Sequence, residues 1–266
     1  APLLVRTGRA DITMPGGCKL GARPIDIHLD GLAKMGVMIA QSAQHLHLTA
    51  PAGLKGADIT LRFPSVGATE TLLMAAVSAR GQSVLRGCSM EPEVTDLVRF
   101  LKACGACVEG EGTRCLTVFG TPNLKGCHYR ICPDRITAAT VMFAVAGCGG
   151  EAVLQGACEE DLQAVFRVLR RGGCDIACKE DEIAIGRYHT LYGAGNLMTD
   201  VHPAFPTDAA PLAAAAFLRA QGTTMLTDSI FENRFACAAG FEKMRAACGV
   251  QGRTICVQGV PRLAGS

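Results

Sequence analysis

The residues best suited to chemistry lie in the stretch Pro15–Asp26, where Cys18 follows Gly16 and Gly17 and precedes Lys19 and Arg23. Paired glycines open backbone conformations closed to other residues, so a thiol there can be presented on a loop. Two nearby cations favour the thiolate, and the first carboxylate after the loop is Asp26. That is the environment of a reactive cysteine. A surface loop with an incidental thiol has the same composition, and local chemistry leaves both readings open.

Pro24 fixes its own φ and restricts Arg23 to extended geometry, which suits a guanidinium gripping phosphate or carboxylate. The competing reading of Arg23–His28 is an ordinary helix start, with Asp26 facing solvent and His28 half-buried. Phe63-Pro64-Ser65-Val66-Gly67-Ala68-Thr69 runs from a strand into a helix and offers amides and hydroxyls to an anion such as a diphosphate. Plain capping by Ser65 or Thr69 would look the same. One lobe later, Phe205-Pro206-Thr207-Asp208 repeats that turn with a carboxylate that serves either as cap or as base. Ile230-Phe231-Glu232-Asn233-Arg234 places an acid, an amide and a cation between aromatics, in a binding corner or a salt-bridged structural one. Cys104 and Cys107 have redox or zinc-type spacing, but no second pair completes a site. No Ser/His/Asp order, P-loop or dinucleotide fingerprint is present.

The elements that must position these groups form a repeat. Gly36, Gly105 and Gly173 each end an amphipathic segment at intervals of about 70 residues, as glycines at helix C-termini do. Gly81, Gly150 and Gly222 keep a similar interval, each between an Ala-rich run and a short strand. The fourth copy carries Arg245 where the helix-ending glycine belongs. The fold class is therefore α/β, built from a recurring unit of helices and strands. The boundary between lobes is set at Pro133, taken to follow a strand, giving lobes 1–132 and 133–266. The chain is expected to begin inside one unit and stop inside another, as a fragment of a longer protein.

The composition supports this: 49% hydrophobic residues without Trp supply two ordinary cores. A net charge of +2 with mixed acids and bases argues against a nucleic-acid partner. No apolar run is long enough to cross a bilayer, and a soluble, unexported, cytoplasmic protein is expected. Its fourteen cysteines are read as reduced, buried small residues rather than a disulfide framework.

Taken in order, Pro-Gly-Gly-Cys, Gly-Ala-Arg-Pro-x-Asp-x-His, Phe-Pro-Ser-Val-Gly-Ala-Thr-Glu, Glu-Pro-Glu, Pro-Asp-Arg-Ile, Phe-Pro-Thr-Asp and Phe-Glu-Asn-Arg-Phe span the whole chain. This set resembles the UDP-N-acetylglucosamine 1-carboxyvinyltransferases of the EPSP synthase superfamily. It differs from the sister enzyme, 5-enolpyruvylshikimate-3-phosphate synthase, which lacks the cysteine loop. The resemblance implies an inside-out α/β barrel of two lobes built from βαβαββ units. It also implies transfer of the enolpyruvyl group of phosphoenolpyruvate to the 3′-hydroxyl of UDP-N-acetylglucosamine, committing that sugar to peptidoglycan.

On that resemblance Cys18 is the general acid and covalent carrier, alkylated by fosfomycin, and Arg23 neutralises phosphate charge. Arg23, Pro24, Ile25, Asp26 and Ile27 line the uridine nucleotide, and Ser65, Val66 and Gly67 lie near the diphosphate. Asp208, beside Thr207, takes or orients the sugar hydroxyl proton; Ile230 offers a backbone contact and Arg234 a cleft guanidinium. No metal or cofactor is implied. Two departures stand out: Thr137-Ala138-Ala139-Thr140 where the family has Glu-Thr-Gly-Thr, and Arg245 for glycine. Further family residues that bind phosphoenolpyruvate would fall outside residues 1–266, so this stretch alone is expected to be inactive. The alternatives are a relative that binds the UDP-sugar without turnover and, from another class, a metal or redox protein.

Overall fold

The computed structural model describes residues 1–13, 25–42, 44–121 and 123–265. Cys18, Arg23 and Pro24 lie outside the described residues. The chain divides into two compact units, the first ending at Cys132 and the second running Pro133–Ser266.

The first unit runs α1 (Pro2–Thr7), β1 (Arg9–Thr13), α2 (Asp26–Lys34), β2 (Met38–Gln41), β3 (His45–Thr49), β4 (Asp58–Thr60), α3 (Val66–Val77), β5 (Gln82–Arg86), α4 (Pro92–Ala103), β6 (Cys107–Glu109) and β7 (Cys115–Phe119). The second runs α5 (Arg135–Cys148), β8 (Gly150–Gln155), α6 (Glu159–Arg171), β9 (Asp175–Lys179), β10 (Glu182–Arg187), β11 (Gly195–Met198), α7 (Ala210–Ala216), β12 (Thr223–Thr227), α8 (Ala238–Lys243), β13 (Ala247–Gln251) and β14 (Thr254–Gln258). Short 3₁₀ turns, Thr207–Ala209 and Phe217–Arg219, flank α7.

The repeat is visible in the sheets. β4-β5-β7-β6 and β11-β12-β14-β13 share one order, each with a parallel first pair and antiparallel partners after it. The parallel pair needs a crossover, which α3 and α7 supply. The three-stranded sheets β1-β3-β2 and β8-β10-β9 follow the same path without an opening strand. Among the described residues this gives four copies of one βαβαββ pattern, two with their first strand and two without.

The turns into β2, β6, β9 and β13 use one hydrogen-bond scheme. Gly36, Gly105, Gly173 and Arg245 donate to the carbonyls of Ala33, Lys102, Arg170 and Glu242, and the following amides reach back to Leu32, Leu101, Leu169 and Phe241. That arrangement requires positive φ, and all four residues have it, Arg245 at 59°.

Amphipathic helices such as α4 and α6 bury one stripe, whereas α3 is buried nearly all round. In α6, acids fill the first turn, Arg170 and Arg171 the last, and Leu162, Val165, Phe166 and Leu169 face inward. The first unit's core includes Met35, Leu46, Leu72, Leu85 and Leu116; the second's includes Met142, Phe166, Phe217, Leu226 and Ile255.

Two expectations are corrected. Residues 123–134 contain no strand, so none precedes Pro133. This stretch instead lies along α4, where Asp96 Oδ1 accepts from Tyr129 Oη at 2.8 Å and from the Cys132 amide at 3.2 Å. The described cysteines are free, as expected, but only Cys88, Cys104 and Cys174 are buried. Cys107, Cys115, Cys148 and Cys256 are exposed, the two end residues Cys107 and Cys115 because they fall on the outward positions of their strands.

Candidate functional site

In the second unit, the end of β12 and the start of the α7 segment bring Thr207, Asp208, Asp228 and Arg234 together. Asp228 follows the last residue of β12 and is fully buried. Its Oδ1 accepts from the amides of Ile230 at 2.9 Å and Phe231 at 2.6 Å, fixing the turn that carries Arg234. Its Oδ2 accepts the Thr207 hydroxyl and lies 3.8 Å from Arg234 Nε. Burying a carboxylate demands such partners.

Arg234 Nε donates to Thr207 Oγ1 at 3.0 Å, Nη2 donates to Asp208 Oδ1 at 2.8 Å, and the guanidinium stacks over Phe231 with its carbon 4.6 Å from the ring centroid. The corner is supported behind by Thr199 Oγ1, which accepts from the Ser229 amide at 3.1 Å, and by Arg253, which donates to the Ser229 carbonyl at 3.0 Å.

Thr207 belongs to a recurring position. Pro64-Ser65, Pro133-Asp134 and Pro206-Thr207 all introduce helices. Ser65 Oγ accepts from the Ala68 amide at 3.3 Å, and Asp134 Oδ1 accepts from Ile136 at 2.8 Å and Thr137 at 3.1 Å, so both are caps. In the third copy neither the 3₁₀ turn nor α7 has a side-chain cap. Thr207 is turned to Asp228 and Arg234 instead, and Asp208 is no cap. Its carboxylate has Oδ1 tied to Arg234 and is 60% exposed, an arrangement able to accept a hydroxyl proton from a ligand.

In the first unit, the starts of α2 and α3 are brought together. Gly31 of α2 allows close approach to α3: a Cβ there would come 2.4 Å from Leu72 Cδ2. Gly67 lies against His28, whose Nε2 would be 3.3 Å from a Cβ on it. Asp26 Oδ1 accepts from the Ile27 amide at 2.9 Å, and Oδ2 pairs with Arg62, so Asp26 does not face solvent unpartnered. The Arg62 hydrogen bond holds the Asp26 carboxyl below its ordinary range. Burial pushes His28 down, as expected for a half-buried imidazole, and pushes Glu70 up. Ile25 and Ile27 pack on the core, leaving the α2 start fixed beside Ser65, Val66 and Gly67.

Asp228, Thr199 and Arg62 were not among the residues singled out from sequence. An acid directly after a strand and before a polar-aromatic corner was the available signal for Asp228. The Cys104 and Cys107 spacing forms no site, since Cys104 faces Cys127 across 3.5 Å and Cys107 is exposed. Among the described residues no cluster able to hold a metal is found, and no helix is long and apolar enough to cross a membrane. A cavity of about 840 Å³ lies between α5, α7 and Pro261–Leu263, and contains none of the candidate residues.

The family model for EPSP synthase (3-phosphoshikimate 1-carboxyvinyltransferase) matches residues 1–266. UDP-N-acetylglucosamine 1-carboxyvinyltransferases of Gluconobacter oxydans (strain 621H) and Ruegeria pomeroyi are each 42% identical over 265 residues, covering 100% of this chain and 63% of the relative. The chain thus spans less than two thirds of the length of these relatives. Among solved structures, the enolpyruvyl transferase NikO from Streptomyces tendae aligns with TM-score 0.81 at 23% identity, over 97% of this chain and 61% of that one. An EPSP synthase from Acinetobacter baumannii aligns with TM-score 0.64 at 24% identity, over 96% of this chain and 61% of its own. These likenesses show the inside-out α/β fold of the enolpyruvyl transferases. With the whole chain matched and its fold repeated in these structures, the chain belongs to the EPSP synthase family.

Proposed function

We propose that this chain supplies the sugar-binding and acid-base groups of a UDP-N-acetylglucosamine enolpyruvyl transferase that consumes phosphoenolpyruvate and releases phosphate in the cytoplasmic phase of peptidoglycan synthesis. The observation that carries the reading is the Arg234-held carboxylate of Asp208, exposed beside the Ile230 turn. The reaction needs a proton acceptor at the sugar hydroxyl, a proton donor at the methylene carbon, and positive charge at the leaving phosphate.

In this reading Asp208 takes the 3′-hydroxyl proton as the oxygen attacks C2 of phosphoenolpyruvate. Cys18 delivers a proton to C3. Loss of a C3 proton then expels phosphate, with Arg23 balancing its charge. Arg234 and Thr207 orient Asp208, and the Ile230 backbone meets the sugar nucleotide. Ile25, Asp26 and Ile27, with Arg23 and Pro24, line the uridine, and the capped α3 start with Ser65, Val66 and Gly67 faces the diphosphate. The names of the most similar relatives and the order of the motifs support this choice of substrate.

The protein bearing this chain is expected to release phosphate only when both substrates are present, and to lose this activity in Asp208→Asn. Binding of the UDP-sugar without phosphate release would point instead to a catalytically incomplete relative. Failure to bind it at all would remove the proposal.

A further inference from the structure

Helix α4 turns one stripe, Asp96, Phe100 and Cys104, toward the stretch 123–132. Each member of the stripe grips it. Asp96 holds Tyr129 and the Cys132 amide, and Phe100 meets the Tyr129 ring edge-on with centroids 5.6 Å apart. Cys104 Sγ lies 3.5 Å from Cys127 Sγ, while the Cys104 carbonyl accepts from the Lys125 amide at 2.8 Å. Both thiols are free. A disulfide needs the sulfurs about 2.05 Å apart, so rotation of Cys127 through about 1.5 Å of sulfur travel would bring the pair to bonding distance. Cys127 sits on backbone without regular structure, which accommodates such a movement.

We propose that Cys104 and Cys127 form a reversible disulfide that pins residues 123–132 to the end of α4, a redox modification site that uses neither Cys18 nor Cys107. Cys104 is buried and Cys127 only half-buried, which sets the order of events. The Cys127 thiolate attacks a low-molecular-weight disulfide, forming a mixed disulfide and releasing one thiolate. The Cys104 thiolate then attacks Cys127 Sγ, forming the protein disulfide and expelling the second thiolate. Two cysteines are oxidised by two electrons, one small disulfide is reduced to two thiols, and the two cysteine protons end on those thiols. Burial and the neighbouring sulfur hold the Cys104 thiol above its ordinary range, so the closing step speeds up as pH rises. A pair of this kind in a cytoplasmic protein is transient and sensing rather than structural.

The test oxidises the purified, reduced protein with glutathione disulfide, blocks remaining thiols with N-ethylmaleimide and maps the peptides by mass. The expected result is a Cys104–Cys127 linked peptide, cleaved by dithiothreitol, with a melting temperature several degrees higher in the linked form. Cys107→Ser keeps the link, and Cys127→Ser abolishes it and leaves Cys104 alkylated. Recovery of Cys104 and Cys127 as separately blocked peptides in the wild type, at a glutathione disulfide concentration that modifies other cysteines, would overturn the proposal. That mapping needs no variant, so it stands even where a substituted protein fails to fold.

Discussion

Arg234 Nη2 lies 2.8 Å from Asp208 Oδ1, and the pair is unequal: the guanidinium is 8% exposed and the carboxylate 60%. The cation is fixed by Thr207, Phe231 and buried Asp228, and the anion is the partner left open to a ligand. Substitution should therefore separate stability from activity. Asp208→Asn is expected to change stability by no more than about 0.5 kcal/mol, as exposed substitutions do, while lowering turnover by roughly 10²–10⁴-fold as loss of an acid-base group does. Arg234→Ala leaves Asp228 with a missing charge partner and should cost about 3 kcal/mol in denaturant unfolding. Equal effects of both changes on stability would break this division of labour.

Ser65 caps α3, and the proposed function also gives it a contact to the diphosphate. Ser65→Ala should cost about 1 kcal/mol of stability as a lost cap. Calorimetric titration should show UDP-N-acetylglucosamine affinity falling in the same variant. Unchanged affinity beside the stability loss would make Ser65 a cap and nothing more.

Arg245 holds φ 59° where its three counterparts are glycine. Because the side chain is exposed, replacing it removes backbone strain without opening the core. Arg245→Gly is expected to stabilise the second unit by roughly 1 kcal/mol, seen as a higher melting temperature. A lower melting temperature would mean that the arginine makes compensating contacts.

The repeat was legible because its markers are backbone requirements: a positive φ at Gly36, Gly105 and Gly173 favours glycine over residues that carry a Cβ. Arg245 was recognisable for the same reason, by interval rather than by residue type. The Asp208 site was only half legible. Cap and base look alike in Pro-Thr-Asp, and what removes the cap reading is Asp228, 21 residues beyond Thr207, which draws that hydroxyl away from the helix. Asp228 itself gives only a faint signal, since its importance comes from burial. The absence of a strand before Pro133 was illegible for a related reason: Tyr129 and Cys132 find their hydrogen bonds on α4, a contact no local pattern encodes.

Asp134 provides a pH-dependent test. The Thr137 amide and hydroxyl, then the Ile136 amide, hold its carboxyl below the ordinary value. A depressed folded pKa means the cap contributes fully above about pH 4, the unfolded carboxylate range, and is lost as pH falls through the folded value. Asp134→Ala should therefore be about 1 kcal/mol less stable at neutral pH. In acid unfolding curves the two proteins should converge as pH falls from about 4 through the depressed folded value, where the wild-type carboxyl also protonates. A constant gap across that range would assign the difference to something other than the charged cap.

The most direct test of the account is coupled phosphate release from phosphoenolpyruvate by the protein bearing this chain, read together with the mass of the nucleotide-sugar product. Phosphate release that depends on UDP-N-acetylglucosamine, an enolpyruvyl group gained by that sugar, and loss of both in Asp208→Asn are expected. Product formation that persists undiminished in Asp208→Asn, or phosphate release independent of the sugar nucleotide, would contradict it.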